Sequence, residues 1–208
     1  MEYAAKSLAW RSIFGAALCF CWTSQSGAQT RATDSRWFPI PETATFETGD
    51  TWAHQGQRYR LYGVQSCLRG TFFTNEHGLK RDCGEASLAM LVALIRDLKP
   101  LCYTAAQIAG DTTHFVICFA QMASGKSKGS RVDLGMSIVT LGYAVASTSL
   151  EGRPVHQAYA EAENLARRSK AGLWAYPDFP EPMSIILRAY SKANASPSTP
   201  SQTLPTTR

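Results

Sequence analysis

A chain of 208 residues with 45% hydrophobic composition holds one domain with a real core plus terminal extensions. A formal charge of +5 is compatible with nucleic acid or an acidic polysaccharide and demands neither. Past the N-terminus, no stretch is apolar enough to cross a membrane, which excludes a polytopic membrane protein.

The first 28 residues carry Lys6 and Arg11, an apolar run from Ile13 to Trp22, and a small-residue end at Ser26-Gly27-Ala28. That is the pattern of a secretory signal peptide cut after Ala28, with a retained N-terminal anchor as the alternative. The expected product is exported, periplasmic or secreted. Removal of the segment takes Glu2, Lys6 and Arg11 with it and lowers the formal charge from +5 to +4. It also takes two of the six cysteines, leaving Cys67, Cys83, Cys102 and Cys118. An even number of cysteines in an oxidising compartment reads as a disulfide framework, although four allow three pairings. Their spacing lacks the CxxC pairs of a zinc site, and buried free thiols are the alternative.

Residues 29–42, with Pro39 and Pro41, form a polar lead-in to a domain expected over 43–180. Two segments rich in Tyr, Trp and Val then flank His54-Gln55-Gly56-Gln57, a hairpin signal that places Arg60 inside a strand. A guanidinium there needs a partner such as a phosphate, or lies in solvent at a sheet edge. Residues 66–83 are polar, with Gly70, Gly78 and the Lys80-Arg81 pair, and read as a surface loop.

From Gly84 to Leu98 the apolar residues Leu88, Leu91, Val92, Ile95 and Leu98 recur at helical spacing until Pro100. Two β-favouring segments, 101–109 and 112–120, surround Gly110-Asp111. Joined by a three-residue turn at 109–111, they set Cys102 opposite Cys118, close enough for a disulfide, which leaves Cys67 to pair with Cys83. Lys126, Lys128 and Arg131 mark a basic loop able to hold a polyanion or to serve as a mobile hairpin tip.

Asp133 can cap a short helix with Leu134, Ile138 and Leu141 inward. A third helix after Pro154 buries Val155, Tyr159, Ala162 and Ala166 and turns Glu161, Glu163, Arg167, Arg168 and Lys170 to water. Gly172 closes it, and Leu173 and Trp174 return to the body of the fold. Residues 191–208 are Ser, Thr, Pro, Asn and Gln with hardly an apolar side chain, a composition expected to be disordered.

The order Gly49-Asp50-Thr51, a strand with Arg60-Leu61 and Val64, Cys83-Gly84-Glu85-Ala86-Ser87, then an amphipathic helix ending at Gly172-Leu173-Trp174, resembles the staphylococcal nuclease (thermonuclease-like) family. The resemblance covers roughly residues 43–174. It implies an α+β fold, a five-stranded OB-type barrel with three α-helices, that hydrolyses phosphodiester bonds of DNA and RNA with calcium.

In that family two carboxylates hold calcium, a glutamate activates water, and two arginines neutralise the phosphate, each answering a demand of the chemistry. By resemblance Asp50 is the first metal carboxylate and Arg60 the first arginine. The family's Asp-Thr-Pro-Glu is replaced by Gln65-Ser66-Cys67-Leu68, so an amide stands for one ligand and a leucine for the base. The family's Tyr-Gly-Arg aligns with Thr112-Thr113-His114, which makes His114 the candidate in place of the second cation. Losing a general base forfeits about 10²- to 10⁴-fold in rate, so the family reaction is expected to be nearly extinguished and calcium weak or absent. Glu76, His77 and Asp82 in the following segment are the candidates for a rebuilt site, whereas His54 and His156 read as surface residues.

Leu61-Tyr-Gly-Val-Gln-Ser-Cys-Leu-Arg-Gly70 is also similar to nuclease-like proteins of succinoglycan clusters. That likeness implies an accessory role in making an acidic exopolysaccharide. The competing expectations are an active secreted phosphodiesterase with a rebuilt site and an inert disulfide-braced domain.

Overall fold

A computed structural model describes residues 36–122 and 128–195. The expected signal peptide, the first half of the lead-in, Lys126, and the last thirteen positions of the expected tail lie outside the described residues.

The fold is α+β, a curled half-barrel sheet with four α-helices. The strands are β1 (Phe38–Pro39), β2 (Thr45–Thr48), β3 (Thr51–His54), β4 (Gln57–Leu61), β5 (Val64–Ser66), β6 (Phe72–Thr74), β7 (Lys80–Asp82), β8 (Leu101–Gln107), β9 (Thr113–Gln121), β10 (Arg131–Asp133) and β11 (Ala144–Ala146). The helices are α1 (Cys83–Leu98), α2 (Leu134–Thr140), α3 (Gln157–Ser169) and α4 (Pro182–Ala195). The main sheet runs β1-β8-β9-β4-β3-β2, with β10 also on β9, and β4 parallel to β9 where its other pairings are antiparallel. One edge of β9 thus serves β4 with its first half and β10 with its second, which forces the sheet to curl.

The β3–β4 hairpin forms as its turn residues dictate. Gln55 and Gly56 take φ of 48° and 75°, the two left-handed residues of a tight turn whose twist matches its strands. α1 starts on Asp82, whose side chain accepts from the Glu85 N–H, and ends with Lys99 in the left-handed region before Pro100. Asp133 caps α2 through the Met136 N–H.

Helix α1, the inner face of the sheet, α2 and α3 enclose one core around Trp52, Leu61, Leu91, Val116, Ile138 and Tyr159. A second core joins Phe73, Leu173 and the Cys67–Cys83 disulfide, with Tyr176 and Phe179 against it. The other disulfide, Cys102–Cys118, bridges directly opposite residues of β8 and β9, whose Cα atoms are 4.0 Å apart.

Several local expectations change. The helix count is four, because 182–195 forms α4; Glu181 accepts from the Met183 and Ser184 N–H groups at its start, and the helix runs past Ser191, where the tail was expected. The 66–83 loop contains the β6–β7 hairpin, closed by Asn75 accepting from the N–H groups of His77 and Leu79. The β8–β9 register holds at Cys102 but slips by one between Thr104 and Ala106, so β8 stops at Gln107 and the connection outgrows three residues.

Leu141 is 42% exposed, because α2 ends before it and Val139 fills the interior instead. Val155 precedes α3 and is also exposed, whereas Glu163 turns inward to accept from the Ala146 N–H. Leu173 joins the second core, and Trp174 lies under the Arg167 guanidinium, 4.2 Å from its carbon, and edge-on to Phe179.

Candidate functional site

The site begins at the corner between β2 and β3. A Cβ on Gly49 would lie 2.5 Å from the Ser87 Cβ, so only glycine lets this corner close onto α1. Ser87 in turn accepts from the Cys67 N–H and donates to the Tyr143 carbonyl. The Gly49 and Ser87 of the family-like motifs therefore serve one close approach between backbone segments.

That approach drives the next residue inward, and Asp50 is only 2% exposed. Its Oδ1 accepts from Thr48 Oγ1 at 2.6 Å and Thr51 Oγ1 at 2.9 Å. Its Oδ2 accepts from the Ser66 N–H at 3.1 Å and faces Arg60 with Nε at 3.2 Å and Nη2 at 3.1 Å. Arg60 Nη2 also donates to Gln65 Oε1 at 2.5 Å, and Gln65 Nε2 donates to the Ser66 carbonyl at 2.9 Å. The polar groups close a ring through Asp50, Arg60, Gln65 and Ser66. Each buried charge or amide has a partner, the condition under which a buried ion pair is tolerated.

An ionised carboxylate offers about four lone-pair sites, and here five donor atoms point at them. A calcium ion needs six to eight oxygens, several of them carboxylate. Gln65 spends its oxygen on Arg60, Leu68 supplies none, and among the described residues no group of three or more His, Cys, Asp or Glu gathers round one point. The residues present do not fit the calcium that the resemblance implies.

The Arg60 side chain is one-third exposed, toward a depression of about 280 Å³ on the outward face of β3, β4 and β9. Arg58 beside it is paired with Glu47 at 2.9 Å. At its rim Asp111 accepts from the Thr113 N–H, and the Thr113 backbone and hydroxyl hold its carboxyl below the usual range.

His114 sits elsewhere. In the parallel β4–β9 pairing Arg60 lies beside Phe115 while His114 lies beside Tyr59, and neighbours along a strand point to opposite faces. The His114 ring stacks on Tyr59 with centroids 5.5 Å apart, and Nε2 is 3.0 Å from Gln57 Oε1. It does not share the depression with Arg60.

The rebuilding candidates are also committed elsewhere. Asp82 accepts from the N–H groups of Glu85 and Gly70. Burial, which alone would raise its pKa, is outweighed by these backbone hydrogen bonds, so the net shift is downward. Glu76 and His77 pair at 3.5 Å on the exposed hairpin tip. His54 meets the Thr43 hydroxyl at the surface, whereas His156 is half-buried and stacked on Tyr159 at 4.0 Å.

The ring contains members that the residue pattern alone leaves out: Thr48, Thr51 and the Ser66 backbone. The run Thr48-Gly49-Asp50-Thr51 carries the signal, since hydroxyls flanking an acid bond locally to it.

No family model matches the chain, and no curated protein matches it.

Proposed function

We propose that this is an exported, nuclease-like protein that does not cleave phosphodiesters by the family mechanism and acts by binding, as an accessory in the synthesis of an acidic exopolysaccharide of the succinoglycan type. The observation that carries the non-hydrolytic reading is the filled carboxylate of Asp50: both oxygens are taken by donors, one of them the arginine that would otherwise meet a phosphate. Two disulfides suit an oxidising compartment. No helix of the described residues is long and apolar enough to cross a membrane. The exopolysaccharide role rests on the similarity of residues 61–70 to nuclease-like proteins of succinoglycan clusters.

The test is incubation of the purified protein with single-stranded DNA and with RNA, in calcium and in chelator. The expected result is no cutting in either buffer. Calcium-dependent cutting abolished by Arg60→Ala would overturn the proposal in favour of a rebuilt phosphodiesterase.

A further inference from the structure

The outward face of the main sheet is unusual for a solvated β surface, which ordinarily alternates apolar-in and polar-out. On β8 and β9 the inward positions are filled by Cys102, Val116, Cys118 and Ala120. The outward positions are apolar as well: Leu101 is 47% exposed, and Trp37, just before β1, is 37% exposed. Trp37 meets Tyr103 edge-on at 4.8 Å and Phe119 at 6.3 Å. Arg131, in the register position opposite Gln121, holds its guanidinium 6.0 Å from the Trp37 ring and 5.9 Å from Phe119. Trp37 and Phe119 line one wall of a groove of about 980 Å³ at this end of the sheet, and the segment that closes α1, with Asp97 and Lys99, lines the other.

We propose that this groove binds a carboxylated saccharide, with the rings of Trp37 and Phe119 under the C–H faces of the sugars and Arg131 and Lys99 on a carboxylate. The volume is at the upper end of the roughly 300–1,000 Å³ that ligand clefts occupy, whereas a protein partner would cover a broader surface of about 800 Å² per side. A guanidinium parked over aromatic faces is oriented before a ligand arrives and keeps donors for a planar carboxylate.

Charge and ring geometry favour sugar over a nucleic-acid strand. Among the described residues the groove holds two cations, Arg131 and Lys99, and one carboxylate, Asp97, that is paired with Arg96 at 3.0 Å, while single-stranded nucleic acid calls for a strongly positive channel lined along its length. Trp37 is inclined by 64° to Tyr103 and 60° to Phe119, so the rings do not present parallel platforms to successive bases. Inclined rings flanked by an amide, Gln121, suit hydroxyl-rich sugars with sparse negative charge.

The groove is distinct from the Asp50 ring, although its Phe119 lies on the same face of β9 as Phe115. Phe115 beside Arg60 and Phe119 in the groove are separated by about 13 Å at 3.3 Å per residue. The proposal names the ligand class for the binding role above and stands on different residues. Nuclease assays read that role, and the titration below reads this one, so either can fail alone.

The experiment is calorimetric titration of the purified protein with an oligogalacturonate, a neutral gluco-oligosaccharide and an oligo-dT. Saturable binding of the oligogalacturonate is expected, weakened about tenfold by Trp37→Ala and by Arg131→Gln and unchanged by Arg81→Gln on β7. Thermal unfolding checks that each variant is folded; should Trp37→Ala not fold, Arg131→Gln carries the test. The proposal is overturned by equal binding of the neutral sugar, by tighter binding of oligo-dT, by absence of oligogalacturonate binding, or by self-association that Trp37→Ala abolishes.

Discussion

The Asp50 ring and the Trp37 groove lie along one strand and have opposite economies. In the ring, carboxylate, guanidinium and amide satisfy one another, and Asp50 is shut from water. In the groove, rings and a guanidinium touch one another along its wall and stay partly exposed. Residues that carry chemistry in a related sequence pattern can be absorbed into holding a fold together, whereas capacity for a ligand persists where apolar surface is left in water. Residue type alone does not separate the two; the partners do.

The largest effect that would sharpen the contrast comes from Asp50→Ala. It strands the Arg60 guanidinium, the Ser66 N–H and two hydroxyls. Loss of one member of a buried pair costs about 3–5 kcal/mol, and partial exposure of Arg60 places the expectation at the lower end, about 3 kcal/mol by urea unfolding. Oligogalacturonate affinity of the folded fraction should be unchanged. A stability loss under about 1 kcal/mol would show that the ring is not structural.

Trp37→Ala should invert that result. Its ring, 37% exposed, gives up contacts with Tyr103, Phe119 and Arg131 and part of its burial, about 1–2 kcal/mol of stability, while binding falls. Stability loss comparable to that of Asp50→Ala would make the groove a core element and break the comparison.

The smallest effect lies at acid pH, away from both regions. Asp178 accepts from the Thr74 N–H and hydroxyl, which hold its carboxyl below 3.8 and tie β6 to the segment before α4. A carboxyl depressed in the folded state contributes stability that is full above its unfolded pKa and is lost as pH falls through the folded value. Wild type and Asp178→Asn should therefore differ in unfolding midpoint near neutral pH and converge as the pH falls through the depressed value of the folded carboxyl. A difference that persists unchanged at low pH would show that the Asp178 charge is not involved.

Much of the fold was legible because its signals are local. The β3–β4 turn, the period of α1 and the cap at Asp133 depend on residues within a few positions, and the face-to-face Cys102 and Cys118 needed only register. The β6–β7 hairpin was hidden because its three-residue strands are too short to show alternation and one of them is Lys-Arg-Asp. The slip at Ala105 has no residue signal, and α4 lies beyond the 43–180 boundary that the resemblance implies, with its second half in a stretch of polar composition.

At the site, the resemblance singles out Asp50 as a metal carboxylate and Arg60 as a phosphate contact, whereas their closure on each other depends on Gly49 meeting Ser87 on α1. That is a tertiary fact. The outward aromatic face was missed for a different reason: β8 and β9 are apolar at both parities, so no period distinguishes inside from out.

Calcium titration of chelator-treated protein, followed by calorimetry, tests the central claim most directly. With Asp50 already coordinated by protein donors, no saturable heat is expected up to about 1 mM, the weak end of protein calcium sites. Saturable binding that Asp50→Asn removes would contradict the account, because it would mean that Arg60 and the two threonines release the carboxylate to a metal.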